Sequence, residues 1–170
     1  MILLVIYHAS RPHVSVLGRV PGVPDAYGDI GRHPDYERLP DLLVLRLEAP
    51  LFYANAAPVC EEIKRLVGAG ERRPRAVILD AGSNSNLDIT SAEKLDQLVT
   101  SLRQADVDFA LAEVRKPVIE AARRIGVLDT IGDDHLFHTI KPLTDLLDTW
   151  TETDPNMAFS LATKMNSGRN

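Results

Sequence analysis

The chain has 170 residues, a formal net charge of -5, and 45% hydrophobic against 25% charged residues. This is one domain's length and an ordinary globular composition, which excludes wholesale disorder, a collagen-like repeat and a multi-span membrane protein. The acidic balance speaks against electrostatic binding of nucleic acid. The single cysteine, Cys60, excludes a disulfide framework or a cysteine zinc site within one chain and fits a reducing compartment.

The apolar run Met1–Tyr7 is short of the about 20 residues that span a bilayer. It also lacks the basic segment and cleavage site of a signal peptide. It reads either as a first strand or turn of helix, or as the last piece of a membrane helix with Tyr7, His8 and Arg11 at the interface. From Val14 to Val20 residues alternate, which predicts a strand. Pro21 to Pro40 follow no period and read as a long surface excursion with at most a short turn of helix. Leu43, Leu45 and Leu47 share one face of a second strand.

Helical spacing then takes over at Ala56, Val59, Cys60, Ile63, Leu66 and Val67, with Asn55 as N-cap and Gly68 as stop. Cys60 falls on the apolar stripe, as inert core. Ala76–Leu79 is a continuous apolar run ending in Asp80, the pattern of a central strand buried on both faces. The polar loop Ala81-Gly82-Ser83-Asn84-Ser85-Asn86 follows. Leu95, Leu98, Val99 and Leu102 mark a second helix, and the Thr90-x-x-Glu93 spacing predicts Thr90 as its N-cap. Val107, Phe109 and Leu111 alternate as a strand. Pro117 suits the first turn of a third helix, with Val118, Ala122 and Ile125 inward and Gly126 as stop. Leu136-Phe137 reads as a short edge strand. Pro142 opens a fourth helix striped by Leu143, Leu146, Leu147 and Trp150. The order β-β-α-β-α-β-α-(β)-α predicts an α/β domain with a mostly parallel sheet of four to six strands and about four helices.

The sequence has no phosphate-binding glycine loop of the P-loop type, no dinucleotide fingerprint and no nucleophile elbow. His135 and His138 with Asp133 and Asp134 have a helical metal spacing, but a turn and strand point the two rings apart, so no metal site is expected. Arg72, Arg73 and Arg75 form one basic cluster, and Arg115, Lys116, Arg123 and Arg124 another. They are either solvated surface or a docking face for acidic protein or anionic lipid.

The segment Asp80 to Ser91 carries the most chemistry. A parallel strand ends in a carboxylate, a small-residue loop follows, and Asp88 precedes Thr90 and Ser91 at a helix start. Open α/β sheets bind ligands beyond the C-terminal strand ends, and a helix N-terminus favours an anion. A phosphate on Thr90 or Ser91 would use the same amides, opposed by Asp80 and Asp88. The plainer alternative makes Thr90 a helix cap and Asp88 a turn former. No catalytic triad or acid–base pair is present.

Three stretches resemble a known family. Arg11-Pro12-His13-Val14-Ser15-Val16-Leu17-Gly18-Arg19-Val20-Pro21-Gly22 resembles the start of the C-terminal cytoplasmic domain of sulfate permease (SulP) anion transporters. Ala49-Pro50-Leu51-Phe52-Tyr53-Ala54-Asn55-Ala56 is similar to that domain's second strand and turn into its first helix, and Leu87-Asp88-Ile89-Thr90-Ser91-Ala92 to its Asp-x-Ser/Thr-Gly loop. Together they look like a STAS domain spanning about residues 11–150. The resemblance implies that residues 1–10 end a preceding membrane helix; residues 151–170, rich in Thr, Asn and Ser without a period, read as a flexible tail. It implies a non-catalytic regulatory domain on the cytoplasmic face of the membrane, needing no cofactor. The implied partners are the transmembrane domain of the same transporter and a cytoplasmic regulatory protein. It further suggests GTP, GDP or ATP as a ligand near Asp80, Gly82, Ser83, Asn84, Asn86 and Asp88. In free-standing anti-sigma-factor antagonists the position of Thr90 accepts a phosphate, which makes Thr90 and Ser91 the equivalents here. The sequence departs from that pattern at Ile89, where a small hydroxyl residue is usual, and at Ser91, where glycine is usual.

Overall fold

A computed structural model describes residues 14–140. The N-terminal run and the helix and tail expected after Pro142 lie outside the described residues. Six strands form one sheet in the order β2-β1-β3-β4-β5-β6. Strand β1 (Val14–Arg19) pairs antiparallel with both β2 (Tyr27–Asp29) and β3 (Leu42–Leu47). Strands β3, β4 (Ala76–Asp80), β5 (Asp108–Ala112) and β6 (Leu136–Phe137) run parallel. Between them stand α1 (Ala56–Gly68), α2 (Ile89–Gln104), α3 (Lys116–Ile125) and the single turn α4 (Leu128–Ile131). The mixed, mostly parallel α/β sheet of six strands is the architecture expected from the sequence, and among the described residues the first three expected helices are present.

Two cores follow from the alternation of strand side chains. On the helix side, Leu45, Leu47, Val77, Leu79, Phe109 and Leu111 meet Ile63, Leu98 and Ile131. On the other side, Leu17, Val44, Ile78, Ala110, Ala112 and Phe137 form a second cluster with Tyr27 and Leu39 beside it. Every residue of β4 is buried, so its unbroken apolar run is the mark of a strand covered on both faces. Cys60 is buried, and burial pushes its thiol up to about 11, which keeps it unreactive.

Two local expectations are corrected. Residues 21–40 hold no helix; they hold β2, a strand too short to show a period. Gly28 is required there, because a Cβ would stand 2.3 Å from the Tyr36 ring. Gly68 does not stop α1 through a left-handed turn; Ala69 caps it, donating its N–H to Leu66 O. In α3, Ile125 packs part-buried against the core and Gly126 ends the helix at φ 96°, as expected. The one-turn α4 carries too few residues for periodicity to reveal. It is held by Arg103, whose guanidinium donates to the carbonyls of Thr130 and Ile131.

Candidate functional site

The site lies where β3, β4 and β5 end and α1, α2 and α3 begin. The register sets Arg46 beside Asp80, and the Arg46 Nε donates to Asp80 Oδ2 at 2.8 Å. Asp80 Oδ1 accepts from the Gly82 N–H at 2.9 Å. Asp80 is 5% exposed, so an unpaired carboxylate there would be costly. Gly82 leaves little room for a side chain: a Cβ would lie 3.1 Å from Asp80 Oδ1 and 3.3 Å from Glu113 Cβ. Asn84, 3% exposed, ties two loops together by accepting from the Leu51 N–H at 2.6 Å. Asn86 accepts from its neighbour Leu87 N–H at 2.8 Å. Ser83 and Ser85 are exposed.

The start of α2 is built around Asp88. Its extended backbone makes it the N-cap, its Oδ1 accepts from the Ser91 N–H at 2.9 Å, and its Oδ2 accepts from the Ser91 Oγ at 2.8 Å. This corrects the expectation that Thr90 is the cap. A carboxylate binds the free amides of a helix start more strongly than a hydroxyl does and also complements the dipole. Thr90 becomes the second helical residue and is exposed, whereas Ser91 is fully buried. The two hydroxyls paired in the sequence therefore stand in opposite environments. Asn55 is also corrected. It occupies the N-cap position of α1, but its side chain accepts from Phe52 N–H at 2.8 Å and donates to Pro50 O at 2.9 Å. It closes the preceding turn instead of capping the helix.

The loop side chains thus serve chiefly to hold their own backbone. Beneath them lies an apolar cavity of about 20 Å³, bounded by Leu51, Ala81, Asn84 and Leu87, with room for roughly one water. A wider groove of about 670 Å³ opens at the opposite pole, between Leu42, Leu66, Arg38 and Arg72. Among the described residues, four large hydrophobic side chains are exposed: Val23, Phe52, Tyr53 and Ile89. Phe52 and Tyr53 precede α1 with their rings edge to face at 5.7 Å, and Ile89 opens α2. Three of the four therefore stand at the pole of the Asp80–Ser91 loop. Strand β1 begins at this pole too, since Val14 pairs with Leu47.

No group of three or more His, Cys, Asp or Glu among the described residues could hold a metal. His138 is exposed, while both ring nitrogens of His135 face carboxylates, Nδ1 to Asp134 at 2.8 Å and Nε2 to Asp108 at 3.2 Å. Sequence reasoning missed this contact and the Arg46–Asp80 pair. The second had a signal: Arg46 is the one charge inside the apolar run Leu42–Leu47.

Comparison with known proteins places the chain in a family. The chain is 37% identical over 139 residues to a probable sulfate transporter of Mycobacterium tuberculosis, covering 82% of this chain and 25% of that protein. It is 28% identical over 149 residues to sulfate transporter 1.3 of Arabidopsis thaliana, covering 83% of this chain and 23% of the relative. It spans about a quarter of the length of these relatives. Its fold is similar to the murine solute carrier 26 family member A9 anion transporter, with TM-score 0.76 and 19% identity over 87% of this chain and 24% of that one. It is also similar to the SulP transporter STAS domain of Vibrio cholerae, with TM-score 0.58 and 21% identity over 74% of this chain and 94% of that one. No helix among the described residues is long and apolar enough to cross a membrane. Residues 33–143 match the STAS domain family, and the chain belongs to that family.

Proposed function

We propose that this STAS domain is the regulatory and interaction domain of a sulfate or related anion transporter. It works on the cytoplasmic face of the membrane, without catalysis, by contact with the transporter's transmembrane part. The observation that carries this reading is the 37% identity to a probable sulfate transporter across most of the chain. The surface supports it. Phe52, Tyr53 and Ile89 stand exposed at the pole where β1 receives the preceding chain. Exposed apolar side chains gathered at one place favour a partner surface. The test is sulfate uptake into vesicles holding the whole transporter or the transporter cut before residue 11. The reading expects uptake or its regulation to change at equal protein amount; identical uptake in every condition contradicts it.

A second reading is favoured by one observation. Thr90 is exposed in the first turn of α2, beside free amides that suit a phosphate, whereas Ser91 is buried. A phosphorylation switch of the anti-sigma-factor-antagonist type would then act at Thr90 alone. Treatment with a cognate kinase should add one phosphate, and Thr90→Ala should abolish it. A nucleotide ligand of the kind the resemblance suggests would be sought at the same pole; titration of the labelled chain with GTP, GDP and ATP should move amides of residues 80–91 if the loop senses one.

A further inference from the structure

Strand β6 forms only two residue pairs, Leu136 with Leu111 and Phe137 with Ala112. So short an edge strand has little stability of its own. Yet Phe137 is 1% exposed and Ile140 6%, both within the core on the face opposite the described helices. Something must hold this edge in place. His135 stands directly before it, its side chain 15% exposed. Its Nε2 lies 3.2 Å from Asp108 Oδ2 on β5, and its Nδ1 lies 2.8 Å from Asp134 Oδ1. Ionised carboxylates only accept. A neutral imidazole carries one N–H and can satisfy one of them; the imidazolium donates to both.

We propose that His135 is a proton-operated clamp on the sheet edge: protonated, it ties β6 to β5, and deprotonated, it loosens residues 132–140. The charges around the ring come from several elements. Asp108 projects from β5 and also accepts from the Phe109 N–H at 2.8 Å. Arg103 of α2 lies 3.8 Å from the Asp108 Oδ1 and competes with the imidazolium for that carboxylate. Asp133 and Asp134 belong to the turn of His135 itself, and Arg123 of α3 reaches Asp133 at 3.3 Å.

Burial disfavours charge on the ring, but the bonds and charges of Asp108 and Asp134 outweigh it and hold the pKa above the ordinary 6.5. Burial likewise works against the Asp108 anion and is outweighed, chiefly by His135, so that carboxyl titrates below its ordinary range. The clamp's contribution is therefore complete below the unfolded value near 6.5. It is lost as pH rises through the folded pKa. The Asp108 contribution is lost only in acid, outside that window.

The test uses the 170-residue chain. Long-range ¹⁵N spectra follow the His135 ring from pH 5 to 9, and hydrogen exchange of residues 132–140, corrected for intrinsic pH dependence, follows the edge. The clamp expects a ring midpoint above 6.5 and several-fold faster corrected exchange beyond that midpoint. Asp134→Asn, at an exposed position, should lower the midpoint, and His135→Gln should make corrected exchange independent of pH. A midpoint at or below 6.5, or native exchange without pH dependence, overturns the proposal. Asp134→Asn keeps the test decisive even if His135→Gln does not fold.

Discussion

The loop pole and the β6 edge solve one problem with different chemistry. Each fastens a strand end by pairing a carboxylate on a parallel strand with a cation. At the pole the cation is Arg46 on Asp80; at the edge it is His135 on Asp108. A guanidinium stays charged at every pH a protein meets, whereas an imidazole changes charge near neutrality. The pole is therefore a permanent fastening and the edge a conditional one. The permanent one sits where exposed apolar side chains and the start of β1 gather, on the surface proposed to meet the transporter.

Breaking the permanent fastening should have the largest effect. Arg46→Ala leaves Asp80 buried without its cation and should cost about 3 kcal/mol in urea unfolding, at the low end for a broken pair because Arg46 is part exposed. Asn84→Ala removes the acceptor of the buried Leu51 N–H and should cost about 2 kcal/mol by the same measurement. Asp88→Ala strips the N-cap of α2 and should cost about 1 kcal/mol, with Thr90→Ala far smaller. That contrast sharpens the assignment of the cap, and the reverse ranking would refute it.

The conditional fastening should show smaller numbers and a different signature. His135→Gln should lose about 1 kcal/mol near pH 6 and progressively less in alkaline buffer, whereas the Arg46→Ala deficit should stay level between pH 6 and 9. A parallel pH profile for the two variants would erase the distinction. Smallest of all, Tyr53→Ser should move stability by less than about 0.5 kcal/mol, because the side chain is 71% exposed.

The fold was legible where side chains repeat. The all-buried run Ala76–Asp80 and the stripe from Ala56 to Val67 identify their elements because packing needs those periods. The three-residue β2 and one-turn α4 were not legible, since neither is long enough to repeat and both are fixed by tertiary contacts, pairing with β1 and bonds from Arg103. At the candidate site, the residue types of Asp80–Ser91 drew attention to the segment, yet the structure gives several of them other local roles. Thr90 and Glu93 satisfied a local capping pattern, but Asp88 starts the helix two residues earlier, its carboxylate accepting from the Ser91 N–H. The His135 clamp was hidden because its partner Asp108 lies 27 residues away and meets it only through strand pairing.

The central claim is that the pole bearing Phe52, Tyr53 and Ile89 carries the domain's regulatory contact with its transporter. The most direct test is sulfate uptake by the whole transporter carrying Phe52→Ser, Tyr53→Ser and Ile89→Ser together, with Val23→Ser at the opposite pole as control. The account predicts uptake altered several-fold by the triple variant at unchanged membrane abundance and domain stability, and unaltered by the control. Equal uptake from the triple variant and the native transporter would contradict it.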